Sequence, residues 1–318
     1  MGLEPEELQA MSVMDVVREA VAIGHGARQT FALITLALVL PLSIAVLAHS
    51  LFTHPILLQV QENDAPASQW LLLLLLYQFA YLLFLFTFSL LCTAAVVFTV
   101  ASIYAAKPVS FASSLAAVRP IFSRLFRTFL WVALLMLLYN LAYAIAIFPI
   151  AILLHGPLFL LLSAAVAFAF LAVHVYISAL WHLASVVSVL EPLCGLAAMA
   201  KSRDLLRGRG RMAATLVAGY LGACAVIGAS FRALVVKGAH EEGSLGVTSV
   251  PARVLIGYAL VTLQVVVNFI GLLVQSVFYY VCKSHHHQQI DKRALYDHLG
   301  GYLGEYVPLR SSVQMENL

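Results

Sequence analysis

The chain has 318 residues, of which 62% are hydrophobic and 10% charged, with a formal charge of +3 and a mean hydropathy of +0.95. These values fall outside the soluble globular range. So small a net charge, carried by basic residues beside apolar runs, argues against a nucleic-acid partner.

The first 29 residues read as a cytosolic amphipathic segment. Met1-Gly2-Leu3-Glu4-Pro5-Glu6 begins like a myristoylation site, but Glu6 stands where Ser or Thr is required. Acidic residues and the distance to the first apolar run argue against a cleaved signal peptide, so the first span reads as a retained signal-anchor. Ser12-Val13-Met14-Asp15 fits a capping box. Val13, Val16, Val17, Ala20 and Val21 follow as an apolar stripe, predicting a short helix on the cytosolic interface that ends at Gly24 and Gly26.

Six apolar stretches follow, at about 30–51, 70–104, 128–154, 158–190, 212–232 and 254–282. Each is long enough to cross a hydrocarbon core of about 30 Å as a helix. Fifteen of the 18 Lys and Arg fall in alternate connectors and the termini, and three in the connector on the other side. The positive-inside rule therefore predicts an even number of spans with both termini cytosolic, in a secretory-pathway or plasma membrane. The expected fold is all-α: a polytopic membrane bundle of six helices with amphipathic interfacial helices before span 1 and after spans 2 and 4.

Pro41 should kink the first span, and 53–69 reads as a solvated external loop. The second apolar run extends to Ala106, well beyond one bilayer thickness. Lys107-Pro108 recurs as Glu191-Pro192, and Arg119, Arg124 and Arg127 recur as Arg203, Gly208 and Arg211. This spacing suggests two parallel copies of one unit, a feature both of transporters and of inert scaffolds. His155-Gly156-Pro157 predicts a tight external turn. Ala214, Ala218, Gly222, Ala225 and Ala229 put small residues on one face of span 5, which predicts a central position. Residues 283–318 form a cytosolic tail with a helical signal over 291–303.

Two polar stripes stand out within the spans. Gln264, Asn268, Gly271 and Gln275 share one face of span 6, and His174, Ser178 and His182 share one face of span 4. Amides facing lipid would go unsatisfied, so these faces must meet protein or a water-filled cavity. Tyr139, Asn140, Tyr143, Gln78 and Tyr81 add polar groups on spans 2 and 3. The stripes predict either a polar-lined cleft for an amphipathic small molecule or interhelical hydrogen bonds that hold the bundle. His174 and His182 lie about 80° apart around a helix, with no acid or cysteine near them in sequence, a poor start for a metal site. No cofactor is implied.

At the interface, Glu191, Lys201, Ser202, Arg203 and Arg207 form a motif in which Glu191 could pair with Lys201, Arg203 or the next helix's amides. Leu193, Leu196, Ala197 and Ala200 would sit in the headgroup layer while the basic residues attract anionic lipid. The run lacks the aromatic platforms that RNA binding would want. His285-His286-His287 reads as an exposed polar turn. Tyr296-Asp297-His298-Leu299 and Tyr306-Val307-Pro308-Leu309 match a sorting pattern through which a cytosolic protein could bind the tail. Cys194 and Cys282 stand at the cytosolic edge, where palmitoylation occurs. No hydrolase elbow, phosphate loop or zinc helix is found, which disfavours an enzyme.

The stretch from Val186 through Glu191-Pro192-Leu193-Cys194-Gly195 to Lys201-Ser202-Arg203-Asp204-Leu205-Leu206-Arg207-Gly208 resembles a family of plant six-span membrane proteins of unknown function. So does the tail, in Cys282-Lys283-Ser284, Ile290-Asp291-Lys292, Asp297-His298-Leu299 and Gly301-Tyr302-Leu303-Gly304-Glu305-Tyr306-Val307-Pro308-Leu309. More distantly, Glu191 through Gly208 is similar to the membrane domain attached to some bacterial glycerophosphodiester phosphodiesterases. Those enzymes keep their chemistry in a separate soluble barrel, so the resemblance implies a fold and not the hydrolase activity. Some plant members are named for a poly(A)-binding protein, and no residue here supports that association. Two function classes follow: a non-enzymatic binder or carrier of a lipid or amphipathic molecule, or an adaptor acting through its cytosolic tail.

Overall fold

The computed structural model describes residues 5–62, 67–236, 249–288 and 292–303, and among these there is no strand. Six helical segments are long and apolar enough to cross a membrane. The all-α polytopic bundle expected from the sequence is therefore the observed fold.

Short helices α1 (Pro5–Ala10) and α2 (Val13–Gly26) precede the first crossing. The capping box forms as expected: the Ser12 N–H donates to Asp15 Oδ2 at 3.0 Å, and the Asp15 N–H donates to Ser12 Oγ at 3.4 Å. Yet α2 does not lie free on an interface. Its buried stripe is Val16, Ala20 and Ile23, while Val21 faces outward. A Cβ on Gly24 would come within 3.2 Å of the Leu273 side chain. The helix is thus part of the protein core, because its stripe finds apolar side chains of the last span before it meets lipid.

The first crossing comprises α3 (Arg28–Ile34), a π turn (Thr35–Val39) and α4 (Leu40–Glu62). The Leu40 N–H reaches back to the Thr35 carbonyl, one residue further than in an α-helix. Pro41, which has no N–H to give, directly follows this irregularity. Helix α4 continues through Glu62, and α5 (Ala67–Tyr104) starts five residues later. The external loop expected over 53–69 is therefore mostly helix, leaving 63–66 outside the described residues.

Helix α6 (Phe111–Leu153) runs unbroken for 43 residues. Ser110 and Ser113 cap it reciprocally, at 3.1 and 2.9 Å. The basic connector after span 2 is thus the first part of span 3 and not a separate interfacial helix, since no glycine interrupts 107–127. After a turn at Leu154 and His155, α7 (Gly156–Leu190) returns. The chain then makes the short helix α8 (Leu196–Leu206), followed by α9 (Gly210–Phe231), a π turn (Arg232–Val236) and α10 (Val250–His285). The tail helix α11 (Lys292–Tyr302) closes the described chain. Lys107-Pro108 and Glu191-Pro192 each follow the end of a long helix, but the two segments then differ, the second breaking at Gly208, where φ is +83°. The first segment has Arg124 there and stays helical.

The core is concentrated at one end. The last turns of α5, α7 and α10 are buried together, from Leu90 to Ala101, Leu183 to Leu190 and Leu273 to Cys282. The opposite halves of α5, α6 and α7 expose Leu, Ile and Phe, including Leu76, Leu137, Ile145, Leu161 and Phe168. In water such surface would be untenable, whereas in a membrane it meets lipid tails. Gln9 Nε2 donates to the Ser284 carbonyl at 2.8 Å, so both ends of the described chain meet at the packed end. Span 5 is not central: Ala218, Gly222, Ala225 and Ala229 face outward. The inward face of α9 carries Met212, Ala213, Val217, Ile227 and Phe231 instead. Larger apolar side chains there bury more area than the small stripe could.

Candidate functional site

A cavity of about 300 Å³ lies among α5, α6, α7, α9 and α10. Helix α7 contributes His174, Ser178 and His182 to its wall, and α10 contributes Asn268, Gly271 and Gln275. The two stripes picked out in the sequence therefore converge on one space. Gln264 is buried but stands off the wall, donating from Nε2 to Asn268 Oδ1 at 3.0 Å and to Cys224 Sγ at 3.3 Å.

Asn268 is the node of the outer wall. Its Oδ1 accepts from Tyr220 Oη at 3.0 Å, and its Nδ2 donates to Ser43 Oγ at 2.9 Å. Ser43 Oγ in turn donates to the Val39 carbonyl at 2.8 Å. One amide thereby ties span 1 to spans 5 and 6. Tyr220 can approach because position 271 is glycine: a Cβ there would sit 3.0 Å from the Tyr220 ring.

Two turns further along the same face of α10, His182 Nδ1 and Gln275 Oε1 are 2.9 Å apart. The imidazole stacks on Trp181 and meets Tyr220 edge-on at 5.8 Å. Gln275 is 7% exposed, and among the described residues its Nε2 has no partner. No Asp, Glu, Lys or Arg lines the cavity, whose remaining walls are largely Leu, Val, Ala and Phe. The site can therefore hydrogen-bond an uncharged polar group while enclosing an apolar body.

The other polar residues singled out in the sequence go elsewhere. Tyr139 donates to the Phe170 carbonyl at 2.9 Å and packs against the His174 ring. Asn140 bonds within its own helix. Tyr143 packs on Phe170. Gln78 pairs with His49 at 3.0 Å, and Tyr81 packs against the same imidazole at a tilt of 35°. Sequence reasoning missed Tyr220, Cys92 and Thr93 on the cavity wall. Only Tyr220 left a trace, as a lone tyrosine among the small residues of span 5. A wider groove of about 870 Å³ runs between α2–α4 and α10. Neither polar stripe lines it, so the smaller cavity, where both stripes meet, is the candidate site.

The interfacial motif is structural in its buried half. Glu191 Oε1 accepts from Tyr279 Oη at 2.7 Å and lies 3.5 Å from Lys283 Nζ. Its partners are thus on α10, not Lys201, Arg203 or α8. Ser202 Oγ donates to the Leu180 carbonyl at 2.9 Å, and Lys201 reaches Gln288 at 3.2 Å. Arg203 is exposed, and Arg207 makes an exposed ion pair with Asp204 at 3.6 Å. Leu196, Ala197 and Ala200 are also exposed, beside these arginines, while Ala198 and Leu205 pack inward.

Arg124 was read only as a member of the repeat. Its Nη2 reaches the Ser188 and Glu191 carbonyls at 3.0 and 2.9 Å and Tyr302 Oη at 2.6 Å. Tyr302 donates on to the Val189 carbonyl at 2.8 Å, so α11 is latched to α6 and α7. Leu299 is fully buried, which removes Tyr296-Asp297-His298-Leu299 as a displayed sorting signal, because its hydrophobic residue belongs to the core. Tyr306-Val307-Pro308-Leu309 lies outside the described residues. Cys282 is buried as well, closing it to acylation. His286 bonds the Leu205 carbonyl and His287 faces Gln9, so the triple histidine serves contacts between elements.

The model of a domain of unknown function, DUF8558, matches the chain over residues 1–70 and 63–318. No curated protein and no solved structure matches it.

Proposed function

The chain belongs to the DUF8558 family, a membership that brings no activity with it, and we propose that its cavity binds a lipid or another amphipathic small molecule. The observation that carries this reading is the convergence of His174, Ser178, His182, Asn268 and Gln275 on one largely apolar space. Stripes that only held helices together would satisfy one another. Here, among the described residues, Gln275 Nε2 is left without a partner, and a buried unpaired donor costs about 1–3 kcal/mol. The lipid-facing halves of α5, α6 and α7 supply an apolar approach from the bilayer.

The basic end is assigned to the cytosol by the excess of Lys and Arg there. At that end Arg203, Arg207 and Arg211 are exposed alongside Leu196, Ala197 and Ala200. This combination suits a surface of anionic headgroups, worth about 1 kcal/mol per basic residue.

Native mass spectrometry with lipid analysis on the protein in mild detergent tests the cavity. The expected result is one defined lipid class retained at fixed stoichiometry by the wild type and lost from Ser178→Leu, which fills the space. Bulk lipid in membrane proportions from both proteins would leave a packed bundle and end this reading.

A further inference from the structure

We infer that the groove between α2–α4 and α10 is a second lipid site, which takes a glycerophospholipid with a net-negative phosphate headgroup from the leaflet at the packed end. It is separate from the cavity. The two share no lining residue, because α10 turns Asn268, Gly271 and Gln275 to the cavity and Val265, Phe269 and Leu273 to the groove. The groove has an apolar floor, in which Phe31 and Leu273 are buried and Phe31 meets Phe269 edge-on at 5.5 Å. Its rim is Leu36, Tyr258 and Val266, all exposed, so it opens sideways onto the surface that meets lipid tails.

Length and charge select the occupant. The α10 wall runs from Tyr258 to Leu273, about 22 Å at 1.5 Å per residue. That covers the depth of one leaflet, half of a hydrocarbon core of about 30 Å. The charge sits at one end only. Arg28 stands where the first crossing begins, and among the described residues it is the one formally charged member of the lining and takes part in no ion pair or hydrogen bond. His25 beside it spends Nδ1 on the Val21 carbonyl at 2.8 Å. A cation at headgroup level above a tail-length apolar trough is the complement of a phosphate ester above an acyl chain. The guanidinium offers phosphate oxygens a fork of N–H donors. No acid in the lining receives the ammonium of choline or ethanolamine, so a net-negative headgroup gains most.

The test is photo-labelling of the purified full-length protein with phosphatidic acid and phosphatidylcholine that carry the same diazirine acyl chain. Label on residues 28–40 reports the groove alone, since the cavity takes no lining residue from that stretch. There the phosphatidic acid should label the wild type about fivefold more strongly, one basic residue's worth at a membrane surface. Arg28→Gln should bring it down to the level of the phosphatidylcholine. Arg203→Gln on the exposed basic surface and Ser178→Leu in the cavity should keep the ratio. Ala32→Phe, which fills the groove, should lower the label from both lipids. Arg28 is exposed, so its variant keeps the test decisive if Ala32→Phe does not fold, and thermal transitions check both. Equal labelling of the wild type by the two lipids, or a ratio that survives Arg28→Gln, overturns the headgroup contact. Label that a folded Ala32→Phe leaves unchanged overturns the trough. Glycerol phosphate or oleate that competes as well as unlabelled phosphatidic acid overturns the phospholipid as occupant. Loss of cavity lipid from Ser178→Leu with the groove label intact would keep the two sites distinct.

Discussion

Asn268 and Gln275 sit two turns apart on α10 and have different roles. Asn268 has all of its hydrogen bonds within the protein, to Ser43, Tyr220 and Gln264, so Asn268→Leu takes a partner from three polar groups at once and leaves the buried Tyr220 hydroxyl worst served. It should lower stability by about 1–3 kcal/mol, seen as an earlier thermal transition in detergent with or without added lipid. Gln275→Leu removes an amide that is already half unpaired. Its transition without lipid should therefore move little, and a shift as large as that of Asn268→Leu would mean that Gln275 is structural too. Gly195 has φ of +62°, and a Cβ there would lie 3.1 Å from Trp131. Its N–H also donates to Thr128 Oγ1 at 2.8 Å. Gly195→Ala should accordingly cost about 1–3 kcal/mol in the same assay.

Among the elements, the spans themselves were legible because twenty apolar residues in a row have few other fates. The cap on α2 was legible for a similar reason: Ser12 and Asp15 need only local geometry to find each other. Partners distant in sequence were not. Nothing near Glu191 announces Tyr279 and Lys283, and nothing near Arg124 announces Tyr302, 178 residues away. The polar stripes were visible as faces, yet which face met which depended on packing that periodicity does not encode. The small stripe of α9 misled because smallness permits close approach without requiring it. The α2 cap also carries a pH dependence. The Ser12 hydroxyl and N–H hold the Asp15 carboxyl below its ordinary pKa. The folded value is therefore lower than the unfolded one, and the cap contributes fully above the ordinary carboxylate range and fades as pH falls through the depressed value. Hydrogen exchange in the first turn of α2, corrected for intrinsic rates, should lose protection only in that acidic window, and Ser12→Ala should remove the difference.

For the whole molecule, six crossings and the meeting of Gln9 with Ser284 put both described ends on one face. If that face is cytosolic, as we propose, a glycosylation acceptor inserted in the turn at Leu154–His155 should be modified in cells, and one placed at Gln288 should not. The reverse pattern would invert the assignment. The far halves of the helices face outward, while the basic end is knitted by α2, α8 and α11. Tyr302→Phe removes the hydroxyl that links Arg124 to the Val189 carbonyl. It should speed proteolysis of α11 while leaving the six crossings inserted.

That α6 is one helix has a mechanical meaning. It is gripped near Arg124 and free of proline from there until Pro149, so it behaves as a stiff lever with its fulcrum at the latch. From Arg124 to Leu153 its arm is about 44 Å at 1.5 Å per residue. Each degree of rotation at the fulcrum sweeps the far tip through about 0.8 Å. Because Tyr139 and Tyr143 hold that arm on Phe170 of α7, a tilt at the latch would carry both helices together at the opposite membrane face.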